Sequence, residues 1–254
     1  MSLSDILQSF NLSDLKWFAI GFAAFVLGIS KSGIKGIGII IILILAFVFG
    51  EKASTGVLLP MLISADILAV SYYNRHTQWR FIKKLLPWMV VGVLVGVWVG
   101  DSISEDVFKR VMALIIIGSI FIMWYFEKRK SVSVPQNKLF SSSTGFLAGF
   151  TTMIGNLAGP ISNIYFLAMR LPKNEFIGTA AWLFFIINVF KLPFHFFVWK
   201  TVSKETLVLN LTLFPLVALG FFIGAKLVKR ISNANYRRFI IIVTAIGGLI
   251  MLFR

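Results

Sequence analysis

The chain has 254 residues, 58% of them hydrophobic and 14% charged, with a mean hydropathy of +0.88. This balance does not suit a water-soluble globule, and the lack of cysteine, with only two histidines (His76 and His195), argues against a disulfide framework or a Cys/His metal centre. The formal charge of +15 lies in short clusters between apolar runs, which is a membrane-topology pattern rather than the basic stripe of a nucleic-acid binder.

Residues 1–16 carry Asp5 and Asp14 and no basic leader, so they read as an N-terminal extension, at most a short surface helix, rather than a removable signal. Trp17 to Gly50 is apolar at both ends and broken midway by Gly28-Ile-Ser-Lys-Ser-Gly-Ile-Lys-Gly-Ile-Gly38. Apolar runs follow at Thr55 to Tyr73, Leu85 to Gly100 and Val107 to Phe126, and the basic stretch 127–139 reads as a cytoplasmic linker. Phe140 to Met169 is again apolar at both ends and broken, at Thr151-Thr-Met-Ile-Gly-Asn-Leu-Ala-Gly-Pro160. Runs at Ile177 to Trp199, Thr206 to Leu227 and Phe239 to Phe253 complete the chain. A hydrocarbon core of ~30 Å needs about 20 helical residues, so the six unbroken runs predict crossings and the shorter ones borrow flanking residues. The arms of the broken segments are too short to cross alone and predict re-entrant hairpins of two half-helices.

A shift of 124 aligns Gly21 with Gly145, Phe22 with Phe146, Ala24 with Ala148, Glu51 with Glu175 and Thr55 with Thr179. After an insertion near Val202, a shift of 128 aligns Pro87 with Pro215, Gly92 with Gly220, Gly96 with Gly224 and Arg110 with Arg238. The chain therefore reads as two repeats, 17–126 and 140–254, each a broken hairpin plus three crossings. The clusters Arg75/Arg80/Lys83/Lys84, Lys128/Arg129/Lys130/Lys138 and Lys226/Lys229/Arg230/Arg237/Arg238 all belong on the cytoplasmic side. With three crossings per half, this inverts the repeats and puts both termini outside. The alternative makes each broken segment a kinked crossing, with parallel repeats and one basic loop facing out. The expected fold is thus an all-α integral membrane protein of two inverted-topology repeats. Gly92, Gly96 and Gly100, with Gly220 and Gly224 in the counterpart helix, form small-residue ridges. Packing within the chain is their first reading and a homodimer face the second.

Residues whose burial in hydrocarbon is penalised are the candidates for chemistry, because a charge at a helix centre costs ~2.5–3.5 kcal/mol unless it is paired or faces a cavity. Lys31 and Lys35 lie in the first break among Ser30, Ser32, Gly33 and Gly36. Half-helices starting near Gly36 and Gly159 would add free N–H groups and a positive dipole end. Asn156, Ser162 and Asn163 supply neutral donors in the second half, and Lys191 and Asn188 lie inside the following crossing. Together these groups suit a small anion. Snorkelling to an interface remains the structural alternative for the three lysines. Asp66 is the one deep carboxylate, a counter-ion, a proton-coupling group or a structural partner of Lys31, with pairing slightly preferred. His195, near a helix end, reads as a packed or interfacial imidazole.

The motif Gly28-Ile-Ser-Lys-Ser-Gly-Ile-Lys-Gly-Ile-Gly38 resembles the glycine-rich signature of the TauE/SafE sulfite exporter family. So do the stretch Leu59 to Tyr73, the connection from Trp79-Arg to Leu86-Pro87, and Gly155-Asn-Leu-Ala-Gly-Pro160. The resemblance spans nearly the whole chain. It implies a transporter that moves sulfite or an organosulfonate such as sulfoacetate outward across a bacterial inner membrane, with no cofactor or metal and with the lipid bilayer and a small anion as its partners. Lys35 stands where that pattern would admit a proline after Ile34, which adds a positive charge beside the break. A passive anion channel shares the basic, glycine-lined interior. A membrane-embedded enzyme lacks its expected signatures here: no H-E-x-x-H, no G-x-S-x-G and no paired carboxylates in a break.

Overall fold

The computed structural model describes residues 3–34, 36–104 and 138–232, with positions 106–108, 110, 111, 114, 118, 235 and 236 besides. The expected crossings at Val107 to Phe126 and Phe239 to Phe253, and Lys35, therefore lie wholly or largely outside the described residues. Among those residues the chain is helical throughout: α1 (Leu3–Gln8), α2 (Asp14–Lys31), α3 (Gly38–Phe49), α4 (Glu51–Tyr73), α5 (Trp79–Ser102), α6 (Lys138–Gly155), α7 (Ala158–Ala168), α8 (Lys173–Pro193) and α9 (Lys204–Lys229). Four helical stretches are long and apolar enough to cross a membrane: Glu51–His76, Trp79–Ser102, Lys173–Val198 and Lys204–Lys229. Their outer faces expose Trp98, Phe197, Leu211 and Phe222, as a hydrocarbon solvent allows. Pro60, Pro87 and Pro215 lie within α4, α5 and α9. Each removes one ladder N–H, a loss that transmembrane helices tolerate when neighbouring groups satisfy the freed carbonyl.

The two broken segments fold back on themselves. In the first, α2 ends where Gly33 and Gly36 take φ of 125° and 103°, a region closed to ordinary side chains, so the helix cannot continue. The chain reverses and α3 packs along α2. Phe10, just ahead of α2, meets Phe49 at the far end of α3 with ring centroids 6.0 Å apart, so the segment returns to the side it entered from. The second segment turns at Asn156, whose φ of 57° is left-handed, a conformation asparagine adopts more readily than most residues. Phe140 near the start of α6 stacks on Tyr165 in α7 at 5.9 Å.

Both tips are tied to α4 by side-chain hydrogen bonds. Ser32 O in the first tip accepts a 2.8 Å hydrogen bond from the phenol of Tyr73, the last residue of α4. Asn156 in the second tip donates 3.1 Å to Thr55 O near the start of α4.

Each hairpin is clasped by the other half of the chain, since α2 packs on α9 and α6 on α5, while α4 and α8 pack together in the middle. The small-residue ridges make these contacts. A Cβ on Gly220 would meet Phe25 O and one on Gly28 would meet Val217 O, while a Cβ on Gly92 would meet Phe146 O and one on Gly149 would meet Met89 O. The ridge glycines are thus occupied inside the chain, where they let backbones approach closely.

Candidate functional site

Between the two hairpins, α4 and α8 lies a cavity of about 90 Å³. Ser30 and Lys31 reach it from the end of α2, Gly36, Gly38 and Ile39 from the turn into α3, and Thr152 and Asn156 from the end of α6. Ala158, Gly159, Pro160 and Asn163 line it from α7, Asn188 and Phe184 from α8, and Leu58 and Leu62 from α4. Two half-helices thus begin at one space: α3 at Gly38, two residues after Gly36, and α7 at Ala158, which makes Gly159 its second residue. The first N–H groups of a helix have no intrahelical partner and carry the positive end of the dipole. This is the local chemistry of an anion site.

The structure brings Ser30, Lys31, Gly36, Asn156, Gly159, Asn163 and Asn188 to this cavity. It places the other described candidates, Lys35 lying outside the described residues, elsewhere. Ser32 is fully buried, donates 2.8 Å to Ile29 O and packs against Gly224 of α9, away from the cavity lining. Gly33 lies under Ile177 and Val228. Ser162, one residue before Asn163, is buried with its hydroxyl unpartnered and does not line the cavity.

Lys31 extends along the cavity wall to Asp66, with Nζ 2.5 Å from Oδ1, and lies 5.1 Å from the centre of the Phe184 ring. Asp66 is fully buried, and its other oxygen accepts 2.7 Å from Asn188 Nδ2. The carboxylate that sequence reading placed deep in a crossing is therefore a joint between three elements, α2, α4 and α8. Lys191 is fully buried and stands behind the wall rather than in it. Its ammonium donates to Thr152 O at 2.9 Å, Thr152 Oγ1 at 3.1 Å and Asn156 Oδ1 at 2.6 Å, so all three of its N–H bonds are used. Asn163 lines the cavity with its Oδ1 buried and unpartnered, which leaves its amide able to turn either end to a ligand.

Thr152 and Phe184 are site residues that sequence reading passed over. Thr152 was signalled by its spacing: it lies four residues before Asn156, on the same helix face, inside the second break. Phe184 carried no such signal, because one phenylalanine among many looks like core. His195 sits one turn beyond Lys191 in the π-helical turn Phe194–Val198, fully buried, with Nδ1 2.8 Å from Thr201 Oγ1 and its ring against Trp199. Among the described residues no cluster of three or more His, Asp or Glu side chains could hold a metal.

Interrupted helices whose N-termini meet at a mostly apolar cavity with a few polar groups, among helices long and apolar enough to cross a membrane, fit a membrane transporter of the broken-helix class. The chain belongs to the sulfite exporter TauE/SafE family, whose model matches residues 18–251. No curated protein and no solved structure matches it. The family makes this a multi-pass membrane transporter of the sulfur-anion exporter type.

Proposed function

We propose that this protein is a secondary carrier that exports sulfite or a small organosulfonate such as sulfoacetate across the bacterial inner membrane. The observation that carries the reading is the convergence of two half-helix N-termini and Lys31 on one cavity. A sulfonate or sulfite presents several oxygens that accept hydrogen bonds. The N–H groups of Ala158 and Gly159, the Ser30 hydroxyl and the Asn163 amide are the groups on the lining that can meet them, with the Lys31–Asp66 pair beside Ser30. Apolar side chains around the rest of the lining exclude water, which strengthens each of these contacts.

An inverted repeat is the topology that fits this carrier. Its support is that the two ends of each hairpin lie together and that the two tips converge on one cavity. Single cysteines near Lys138 and Arg170, introduced into a chain that has none, should label from the same side of the membrane. Labelling from opposite sides would turn the second hairpin into a crossing.

Transport itself is tested in proteoliposomes containing the full chain. Preloaded sulfite or sulfoacetate should drive saturable counterflow of the labelled anion, whereas a passive anion channel gives conductance without counterflow. Equal binding of sulfoacetate and an uncharged analogue lacking the sulfonate would defeat the anion reading.

A further inference from the structure

Taking the cavity as the sulfur-anion site proposed above, we infer that Gly38 and Gly159 determine its specificity: by carrying no side chain they leave room for an organosulfonate, whose sulfur group bears a carbon chain, where sulfite alone would need less. A glycine inside a membrane bundle commonly answers one of two structural demands, a left-handed backbone or a close neighbour. Gly33 and Gly36 answer the first, with φ of 125° and 103°. Gly28, Gly92, Gly149 and Gly220 answer the second, since a Cβ on any of them would lie 2.0–2.1 Å from a neighbouring backbone oxygen. Gly38 and Gly159 answer neither. Their backbones are not left-handed. A Cβ on Gly159 would meet no atom of the described residues within 4 Å, and one on Gly38 would meet Ser30 Oγ at 3.8 Å, an ordinary contact. Alanine fits in both places and is the better helix former.

What the two glycines share is position. Gly38 is the first residue of α3 and Gly159 the second of α7, and both line the cavity. The Cα–Cβ bond of a helical residue tilts toward the N-terminus of its helix, so a side chain on either would project in front of the half-helix start, where the ligand's oxygens meet free N–H groups. Asn163 is independent evidence that this space takes a ligand. It lines the same cavity, is 5% exposed and keeps Oδ1 unpartnered, and a buried polar atom calls for a partner. Ile39, Leu58 and Leu62 are also on the lining, and they suit a carbon segment but offer nothing to the bare oxygens of sulfite. In a cavity of about 90 Å³ one added methyl group is a large loss of room.

The test measures binding of sulfoacetate, methanesulfonate and sulfite by calorimetry, with thermal unfolding alongside, on the purified full-length protein and its Gly38→Ala and Gly159→Ala variants. Both variants should unfold at or above the wild-type temperature. Each should bind sulfoacetate ~10-fold more weakly or worse, the effect of one methyl too many in a fitted pocket, and the two smaller anions within about threefold of wild type. Gly21→Ala is the control: it lies in α2 off the lining, a Cβ there would meet Leu216 at 3.4 Å, and binding should not change. Lys35 is present in every protein compared, so its charge cancels. Gly159 precedes Pro160, which crowds a Cβ on the residue before it, whereas Gly38 precedes Ile39, so if Gly159→Ala does not fold Gly38→Ala still decides. If the wild type binds sulfoacetate alone, its loss in the alanine variants and not in Gly21→Ala supports the inference. Equal weakening of all the anions, or no weakening of sulfoacetate in a folded variant, overturns the inference and leaves the sulfur-anion site in place. So does a wild-type protein that binds sulfite but not sulfoacetate. Binding of none of them overturns the functional reading and this inference with it.

Discussion

At the first hairpin tip the positive charge belongs to the hairpin itself, on Lys31, and the long helix beside it answers with a carboxylate, Asp66. At the second tip the roles are exchanged. The charge comes from the long helix, on Lys191, and the hairpin answers with a carbonyl, a hydroxyl and an amide from Thr152 and Asn156. The shift that relates the halves aligns Lys31 with Gly155 and Ser32 with Asn156, so the two arrangements are not copies of one another. The two hairpins carry independent electrostatic solutions. One tip is neutral as a unit and depends on both partners being present. The other holds its lysine with neutral acceptors alone, with no opposite charge beside it.

The sharpest way to break the comparison is to remove one partner of the ion pair. Lys31→Ala leaves the Asp66 charge buried with Asn188 as its remaining partner and should cost ~3–5 kcal/mol of stability, the range for an orphaned buried charge. Asp66→Ala alone should also destabilise, and the double variant should recover much of the loss. A double-mutant cycle on chemical unfolding in detergent reads this coupling directly. Additive single and double losses would show that the pair does not act as a unit.

At the second tip a similar removal should cost less, because no opposite charge is left behind. Lys191→Met keeps the bulk of the side chain but takes the lysine donor from Asn156 Oδ1, while Thr152 O keeps the Asn156 N–H, which should cost ~1–3 kcal/mol. The same unfolding measurement checks it, and a loss as large as that of Lys31→Ala would mean that the two tips are not electrostatically different after all.

How much of this was legible in the chain follows the same divide. The breaks could be read from glycines and polar residues interrupting apolar runs, and the half-helix starts from Gly36 and Gly159, because backbone punctuation is local. The lysines stood out because charge in hydrocarbon is conspicuous. What the sequence left open was how each charge is satisfied. Lys31 and Asp66 are 35 positions apart, and Lys191 and Asn156 likewise, so their partners depend on how helices pack. Lys191 accordingly read as a direct ligand for the anion, whereas its N–H bonds are taken by Thr152 and Asn156 behind the wall. Ser32 and Gly33 read as site residues because they lie in the motif, yet the helix end at Lys31 turns them toward α8 and α9 instead. Thr152 was overlooked because threonine inside a transmembrane helix is commonly satisfied by its own backbone.

The smallest expected effect concerns how firmly the first tip is held. Its carbonyls at Ser32 and Gly33 follow the last turn of α2 and have no helical partner, and both are taken by phenols from distant segments. Tyr73 Oη donates to Ser32 O at 2.8 Å and Tyr236 Oη to Gly33 O at 2.6 Å. Tyr73 is the last residue of α4 and Tyr236 follows α9, so the tip is tied to both halves of the chain. The second tip is held from α8 and α4, by Lys191 and by the carbonyl of Thr55. Replacing either phenol by phenylalanine keeps the ring and removes one neutral hydrogen bond, so Tyr73→Phe and Tyr236→Phe should each cost only ~0.5–1.5 kcal/mol. Global unfolding will barely register a change of that size. Amide hydrogen exchange at residues 30–34 should register it as faster local opening, because a tip freed of one tether samples open states before the whole chain unfolds. Exchange at the second tip, residues 152–156, should stay unchanged in both variants. If exchange rises equally at both tips, the hairpins open together and the phenols hold the whole bundle rather than the first tip alone.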